Sequence, residues 1–503
     1  MARRSKRLER GLLGRPAQAR RYGRRLLDAT LDHHFGLGMR RTYSGASLRD
    51  LDRLFEGPLP EEGRDPLAVL RECRRTLFRH SMQMSHPRIF GLFNPAPLPI
   101  AAFAELPAAF LNQSVDAWKA GPAGTHLEKR VIRWMNDLIG FGAEAFGVFT
   151  SGGGIANAIA LKMARDRAAG LGIRRTGVAG APPGRRLRVY ASDQAHFSIA
   201  RALDLLGLGE RALVRVPSGR DMTMRPEALR EALARDRGRG WRPMAVVATA
   251  GTTNTGNIDP LPGIARVARA HGAFLHVDAA YGGALLFSER YGDRLAGLGR
   301  ADSVTIDPHK WLFQPFSLGG LFVRDGRALK ASCGTEPDYL KKALEAEPQR
   351  LDFYHYSIEG SRPLRGLKFW FTLKTLGRRG LAALVDRTME VAAHLEREVA
   401  RQDCFEPFRS KVELASVCFR YLPPWARLLG AEERARPSAQ RRLNRAQVAL
   451  QRAVERGGYA WFPAIVLEGA VYFRFGVFNY QTSEKDVDDV LAHIRRLAAS
   501  TSG

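Results

Sequence analysis

The chain has 503 residues, of which 45% are hydrophobic, so it can bury large cores and is too long for one ordinary domain. Its formal net charge of +27 favours a partner with phosphates or an anionic membrane surface only where basic residues cluster, because dispersed charge is usually solvated surface. The four cysteines lack the paired spacings of a zinc site, and neither a signal-peptide core nor a membrane-spanning apolar run follows the basic N-terminus. We therefore expect a cytoplasmic protein without a bound metal.

The N-terminal region is predicted to be an extension of residues 1–98 that combines a basic arm with short helices. The dense basic run from Ala2 to Arg25 is interpreted as a solvated arm or helix face, with contact to nucleic acid or membrane as the alternative. The polar stretch after it, punctuated by Pro and Gly, contains helical patterns at 48–55 and 66–78.

Residues 99–367 are predicted to form a large α/β domain with a mainly parallel sheet flanked by helices. Strands that alternate with helices indicate βαβ units. After helical patterns at 98–112 and 125–139, the alternating strands and helices are predicted at 146–150, 155–165, 188–191, 197–206, 245–249, 261–271 and 274–277. The Arg-rich stretch 168–186, which contains Gly and Pro, is predicted to be a surface loop.

The pattern changes from about Leu367, and residues 368–503 are predicted to form a smaller α+β domain. A long helix through Glu398 is followed by strands at 416–421 and 471–475 and by a closing helix at 484–497.

A β-type run that ends in Pro presents a lysine beside a histidine in the strongest local pattern, Ser303-Val-Thr-Ile-Asp-Pro-His309-Lys310-Trp. A lysine amine becomes nucleophilic when burial or nearby positive charge lowers its pKa, and it can then form a Schiff base with a carbonyl cofactor. A His-Lys pair alone is weak, because a surface lysine gives the same pattern.

A strand that ends in a carboxylate precedes this lysine, in Phe274-Leu-His-Val-Asp278-Ala-Ala280-Tyr. Pyridoxal phosphate (PLP) enzymes need an acid group at the pyridine nitrogen, since protonation of that nitrogen makes the ring an electron sink. Asp278 fits this role, and the small Ala280 would let the ring lie flat on the backbone. The alternative is that Asp278 only caps the next turn.

Three further motifs complete an ordered set. Phe149-Thr-Ser-Gly-Gly153-Gly154-Ile is a strand, a Gly-rich turn and a helix start, which together suit a phosphate. His196, in Ser-Asp-Gln-Ala-His-Phe-Ser, supplies a planar imidazole, and Thr253 belongs to a hydroxyl-rich turn after a strand.

With these motifs in this order, the chain resembles the group II PLP-dependent amino-acid decarboxylases, which include the aromatic-L-amino-acid, glutamate, histidine and diaminobutyrate decarboxylases. The resemblance runs from about Ser85 to the C-terminal helix. It implies the fold of aspartate aminotransferase (fold type I) and a homodimer with active sites at the subunit interface.

The resemblance also implies a role for each motif residue. Lys310 would bind the cofactor as a Schiff base, Asp278 would pair with the pyridine nitrogen, and His196 would stack over the ring. The remaining implied cofactor contacts are Ala280 on the opposite face, Thr253 near the 3′-oxygen, and Gly153 and Gly154 at the phosphate with His309 nearby.

The reaction type depends on two more residues that match the family. Arg474 corresponds to the arginine near the substrate carboxylate, with a structural ion pair as the alternative. Tyr339, in Glu336-Pro-Asp-Tyr-Leu-Lys341, corresponds to the proton donor of a catalytic loop. Because loss of CO2 leaves a carbanion that a positioned acid must protonate, Tyr339 and His196 favour decarboxylation over aldehyde formation.

The substrate side chain is expected to contact Leu92, Phe93 and Asp116. Met84 and Leu92 stand where aromatic members carry ring residues, and the stretch around Asp116 is similar to that of bacterial diaminobutyrate and lysine decarboxylases. A carboxylate there could pair with a distal ammonium, although Lys119 could neutralise it instead. We therefore expect a cationic or polar aliphatic L-amino acid such as 2,4-diaminobutyrate, with an aromatic one as the alternative.

Two other classes of function remain as alternatives. The first keeps the cofactor but changes the reaction, to an aldehyde synthase, aminotransferase or carbon–carbon lyase. The second is a nucleic-acid-binding protein with an inactive enzyme fold, against which the intact set of Lys310, Asp278 and His196 argues.

Overall fold

The computed structural model describes residues 15–180, 186–335 and 350–500. These residues form two compact units. The first contains the described residues up to Gly91, together with Pro423–Phe473 and the described residues from Gln481, and the second contains Leu92–Leu422 and Arg474–Tyr480. Domain boundaries at 98 and 367 stay a prediction.

The helices are numbered along the described chain. They are α1 (Pro16–Phe35), α2 (Leu48–Phe55), α3 (Pro66–Cys73), α4 (Pro99–Leu111), α5 (Pro122–Ile139), α6 (Gly153–Ala169), α7 (Ile173–Thr176), α8 (Ser198–Leu205), α9 (Pro226–Gly238), α10 (Leu261–Ala270), α11 (Gly326–Cys333), α12 (Gly366–Arg401), α13 (Pro424–Arg427), α14 (Ala431–Ala435), α15 (Pro437–Gly457) and α16 (Glu484–Ser500).

The second unit contains a seven-stranded sheet with the order β1-β7-β6-β5-β4-β2-β3. Neighbours from β2 to β6 pair in parallel, whereas β7 is antiparallel to both β6 and β1, so β7 alone opposes the common direction. The strands are β1 (Phe146–Thr150), β2 (Arg186–Ser192), β3 (Leu213–Val216), β4 (Trp241–Thr249), β5 (Phe274–Asp278), β6 (Ser303–Ile306) and β7 (Gly319–Val323).

Burial explains why the central strands are apolar runs without alternation. Every residue of β5, β6 and β7 is buried, as expected for strands that helices cover on both faces. Helix α6 is buried along most of its length and is rich in alanine, which allows it to pack closely against the sheet. The predicted α/β fold with a mainly parallel sheet is confirmed.

A smaller antiparallel sheet has the order β10-β11-β9-β8. Its strands are β8 (Phe405–Pro407), β9 (Ser416–Tyr421), β10 (Ala464–Leu467) and β11 (Ala470–Gly476). The turn between β10 and β11 consists of Glu468 and Gly469, which have φ angles of 50° and 81°, the left-handed conformation of a two-residue hairpin turn. β11 continues from the first unit into the second at Arg474.

Several predicted elements differ from the structure. The basic run continues into a regular helix, α1, which reaches Phe35, and the predicted loop 168–186 contains the short helix α7. Strands β3, β7, β8 and β10 were not predicted. None of the helices in the described ranges is long and apolar enough to cross a membrane.

Candidate active site

A cavity of about 150 Å³ lies at one edge of the large sheet. β1, β2, β4, β5 and β6 run in the same direction, so their carboxyl ends and the loops that follow meet there, the usual position of a ligand site in an open α/β sheet. The described residues that line it are Phe93, Gly153, Gly154, Asn157, His196, Thr249, Gly251, Thr253, Asp278, Ala280, Tyr281 and Lys310. Seven predicted cofactor residues are therefore brought together.

Asp278 is the last residue of β5, and two hydrogen bonds hold its carboxylate. Its Oδ2 accepts from Nδ2 of Asn157 at 2.8 Å, and its Oδ1 accepts from the backbone N–H of Ala280 at 3.1 Å. The side chain is buried, and a buried charge is stable only when it is matched. The site therefore presents a carboxyl group fixed by two hydrogen bonds, which suits a protonated ring nitrogen.

Asn157, which follows the Gly-rich turn by three residues and has no predicted role, is also linked through Ser198 to a second cavity residue, His196. Its Nδ2 donates to Oγ of Ser198 at 3.1 Å, and that Oγ lies 2.8 Å from Nδ1 of His196. Burial lowers the pKa of His196, and the charge of Lys310 acts in the same direction, whereas Asp278 raises it. The imidazole is therefore held at its Nδ1 edge and neutral at physiological pH.

Lys310 follows β6 and reaches the cavity beside a buried carboxylate. Its Nζ lies 3.2 Å from Oδ2 of Asp307, whose side chain is only 2% exposed, and 5.8 Å from the centre of the Phe93 ring. Oδ1 of Asp307 is buried and has no hydrogen-bond partner among the described residues. The sequence did not predict this contact, because nothing in the pattern distinguishes a buried Asp307 from one in an exposed turn.

His309 lies beside the cavity and is not one of its lining residues. Its Nδ1 accepts from the backbone N–H of Leu318 at 3.0 Å, and its Nε2 lies 3.6 Å from Oδ2 of Asp307. Burial lowers the pKa of His309, and the ring packs 4.3 Å from that of Phe316. Its environment is therefore that of a neutral, packed ring.

The Gly-rich turn brings backbone close to the cavity. A Cβ atom on Gly153 would lie 2.8 Å from Oδ2 of Asp307 and 3.3 Å from Cβ of Ala280, so a larger residue there would force the Asp307 carboxylate to move. Helix α6 begins at Gly153. The first N–H group of this helix that donates to a carbonyl oxygen of the turn is that of Ile155, which bonds to Gly152. The N–H groups of Gly153 and Gly154 precede it, and a helix N-terminus of this kind favours an anion.

Arg474 lies close to the cavity and contacts one of its loops. Its Nη1 donates to the carbonyl oxygen of Thr253 at 2.6 Å, and its guanidinium carbon lies 5.0 Å from the centre of the Phe93 ring. The side chain is 6% exposed, and burial lowers its pKa. No carboxylate pairs with it among the described residues, so the alternative of a structural ion pair finds no partner here.

Two predicted side-chain contacts lie outside the set of described residues that line the cavity. Leu92 has a φ of 57° and is 40% exposed. Asp116 is half-buried: its Oδ1 accepts from Oγ of Ser114, and its carbonyl oxygen accepts from N–H of Tyr354 at 3.1 Å. Met84 is half-buried in the first unit. Tyr339 lies outside the described residues.

The cavity fits pyridoxal phosphate by the chemistry of its walls. An amine, a fixed carboxylate and the start of a helix match an aldehyde, a ring nitrogen and a phosphate, and Gly153 leaves room for close approach. Within the described ranges, no group of three or more His, Cys, Asp or Glu side chains is placed to hold a metal ion.

The comparison with protein families agrees with this chemistry. Residues 49–422 match the model of the pyridoxal-dependent decarboxylase conserved domain, so the chain belongs to this family. It is a PLP-dependent amino-acid decarboxylase.

Three similar proteins, two compared by sequence and one by structure, show which kinds of decarboxylase this chain resembles. L-2,4-diaminobutyrate decarboxylase of Rhizobium meliloti (strain 1021) is 36% identical over 91% of this chain and 87% of its own. Aromatic-L-amino-acid decarboxylase of Bacillus atrophaeus is 29% identical over 96% of both chains. The crystal structure of Oryza sativa TDC with PLP and tryptamine superposes with a TM-score of 0.88 at 26% identity, and the match covers 98% of this chain and 100% of that one.

Proposed function

We propose that this decarboxylase acts on an L-amino acid with a cationic or polar aliphatic side chain, such as L-2,4-diaminobutyrate, and releases CO2 and the corresponding amine. The observation that carries the proposal is the 36% identity to the Rhizobium meliloti enzyme along 91% of the chain. The half-buried carboxylate of Asp116 supports it, because such a group stabilises a distal ammonium.

In the proposed site the cofactor is held by residues of one unit. Lys310 would bind its aldehyde carbon, Asp278 would pair with the ring nitrogen, and His196 and Ala280 would contact the ring. The N–H groups of Gly153 and Gly154 would hold the phosphate, with His309 nearby, and Thr253 would lie near the 3′-oxygen. When bound, pyridoxal phosphate supplies the electron-withdrawing ring that stabilises the negative charge left on the α carbon.

Arg474 is proposed to orient the substrate through its α-carboxylate. A guanidinium donates two parallel hydrogen bonds to a carboxylate, and Nη1 of Arg474 is already fixed by the carbonyl of Thr253. The apolar ring of Phe93 beside both Arg474 and Lys310 keeps water from the reacting carbon.

The carbon that loses CO2 must receive a proton, and Tyr339 is proposed to supply it. A phenol is a suitable acid because it is protonated at neutral pH and can reach the carbon from a loop. The side chain of the substrate is proposed to contact Leu92, Phe93 and Asp116.

A homodimer in the cytoplasm is proposed as the working form, with the two active sites at the subunit interface. Exposed apolar side chains on α4 support this: Leu106 is 61% and Phe110 84% exposed. Contiguous apolar surface of this kind is covered in most soluble proteins. Sedimentation equilibrium that gives a monomer would contradict the dimer.

The proposal is tested by incubating the holoenzyme with each common L-amino acid and L-2,4-diaminobutyrate, with mass spectrometry of the products. We expect the largest kcat/KM for the diamino acid, with CO2 and 1,3-diaminopropane in equal amounts. The identity to the Bacillus atrophaeus enzyme favours a second candidate, an aromatic substrate, which a larger kcat/KM for an aromatic amino acid would establish. An aldehyde with ammonia and peroxide would instead show another reaction of the cofactor.

A further inference from the structure

A buried chain of polar side chains links the carboxylate of Asp278 to the imidazole of His196. Nδ2 of Asn157 lies 2.8 Å from Oδ2 of Asp278 and 3.1 Å from Oγ of Ser198. The Ser198 oxygen in turn lies 2.8 Å from Nδ1 of His196. Asn157 and Ser198 are 1% and 6% exposed, so water does not compete for these hydrogen bonds. The donors and acceptors can therefore be assigned one by one.

The orientation of the Asn157 amide is fixed from both sides. A carboxylate only accepts, so the amide nitrogen and not the oxygen must face Asp278. The amide oxygen then lies 2.9 Å from Nε2 of His276, which must donate to it. Nδ1 of His276 is left to accept from the hydroxyl of Ser303 at 2.8 Å. Burial lowers the pKa of His276, against the opposing effect of the Asp278 charge, in keeping with this neutral ring.

Ser198 connects the fixed Asn157 amide to His196, and its donor and acceptor roles follow from that amide. The Ser198 oxygen accepts from the Asn157 amide, so its single proton is available for Nδ1 of His196. The backbone N–H of Ser198 points at the same nitrogen, at 3.3 Å. A nitrogen that accepts two hydrogen bonds carries no proton, so the proton of the neutral ring lies on Nε2.

We infer that Asn157 and Ser198 are positioning residues that hold His196 as the neutral tautomer protonated at Nε2, so that the ring offers the cavity a hydrogen-bond donor. Nε2 has no protein partner among the described residues, and His196 lines the cavity. The ring therefore presents a hydrogen-bond donor to the cavity at Nε2, and that nitrogen cannot act as a base. The inference applies to the decarboxylation of any amino acid and is independent of the proposed substrate.

Neutron diffraction from deuterium-exchanged crystals of the holoenzyme tests the assignment directly. We expect deuterium on Nε2 of both His196 and His276 and none on either Nδ1. Deuterium on Nδ1 of His196 would overturn the inference, whatever the activity of the crystals.

Kinetics of Ser198 variants provide a second test that does not depend on crystals. We expect Ser198→Ala to lower kcat by about 10-fold, the usual effect of one lost hydrogen bond, with KM and cofactor affinity unchanged, and Ser198→Thr to restore most of the loss. Thr305→Val is the matched control, because this buried hydroxyl lies 3.5 Å from Nε2 of His276 and is not needed in the chain of bonds. Equal kcat values for Ser198→Ala and Thr305→Val would contradict the inference.

Discussion

The cavity around Lys310 and the stretch around Asp116 differ in how deeply their polar side chains are buried and in what those side chains contact. In the cavity, Asp278 has a partner on each oxygen, and both the amine and the imidazole face the same space. Asp116 is half-buried, is bonded to Ser114, and lies outside the set of described residues that line the cavity. The proposed chemistry at the α carbon thus uses buried groups of one unit, whereas the proposed recognition of the side chain uses a half-buried residue outside the cavity lining.

Removal of Lys310 from the cavity gives the largest expected effect on kcat. We expect Lys310→Ala to lower kcat by about 1,000-fold or more, because no other lysine lines this cavity in the described part of the chain. Stopped assays of CO2 release measure the change. Lys129→Ala, on the exposed face of α5, serves as the control, and equal activities of the two variants would contradict the role of Lys310.

Asp278→Asn is expected to lower kcat by about 100-fold, which corresponds to about 2.7 kcal/mol of lost transition-state stabilisation. A neutral amide cannot keep the ring nitrogen protonated, although it can still bond to Asn157. The absorption band of the bound cofactor, recorded with the CO2 assay, reports the change of its protonation. An unaltered spectrum together with unaltered kcat would remove Asp278 from the cofactor site.

Arg474→Gln is expected to raise KM by about 30-fold, as hydrogen bonds to a charged group contribute about 2 kcal/mol. Initial rates over a range of substrate concentrations measure this. Arg290→Gln, which breaks a surface ion pair with Glu390, is the control and should change KM little. If Arg474 only stabilises the loop that contains Thr253 and does not bind the substrate, kcat will fall at constant KM.

Asp116→Asn gives the smallest expected effect and tests the proposed contact with the substrate side chain. We expect kcat/KM for L-2,4-diaminobutyrate to fall by about 10-fold, because the ammonium loses its counter-charge, and the value for an aromatic amino acid to stay the same. Asp137→Asn, in an exposed pair with Arg133, is the control. A fall of the same size for both substrates would assign Asp116 a structural role.

The sequence predicted residues that the fold brings together around one cavity, and the reason is physical. Asp278 ends β5 and Lys310 follows β6, and carboxyl ends of parallel strands meet at one edge, so motifs next to strand ends are brought together by topology alone. The Gly-rich turn was placed in the same way, between β1 and α6.

Features that depend on side-chain packing were not predicted. Asn157 lies one turn into α6, where a buried amide and an exposed one give the same sequence pattern, and only the fold shows that it faces Asp278. The contact of Asp307 with Lys310 was missed for the same reason, because a buried aspartate and an exposed one give the same sequence pattern. Strand β7 was missed because a short apolar run with two glycines does not reveal that it inserts antiparallel between β1 and β6.

Borohydride reduction of the holoenzyme, followed by peptide mapping, tests most directly that the Lys310 cavity is the cofactor site. The reagent makes the covalent link between lysine and cofactor permanent. We expect the reduced cofactor on the peptide that contains Lys310, in amounts that match the loss of activity. Cofactor fixed to a different lysine, or full activity after complete reduction, would contradict it.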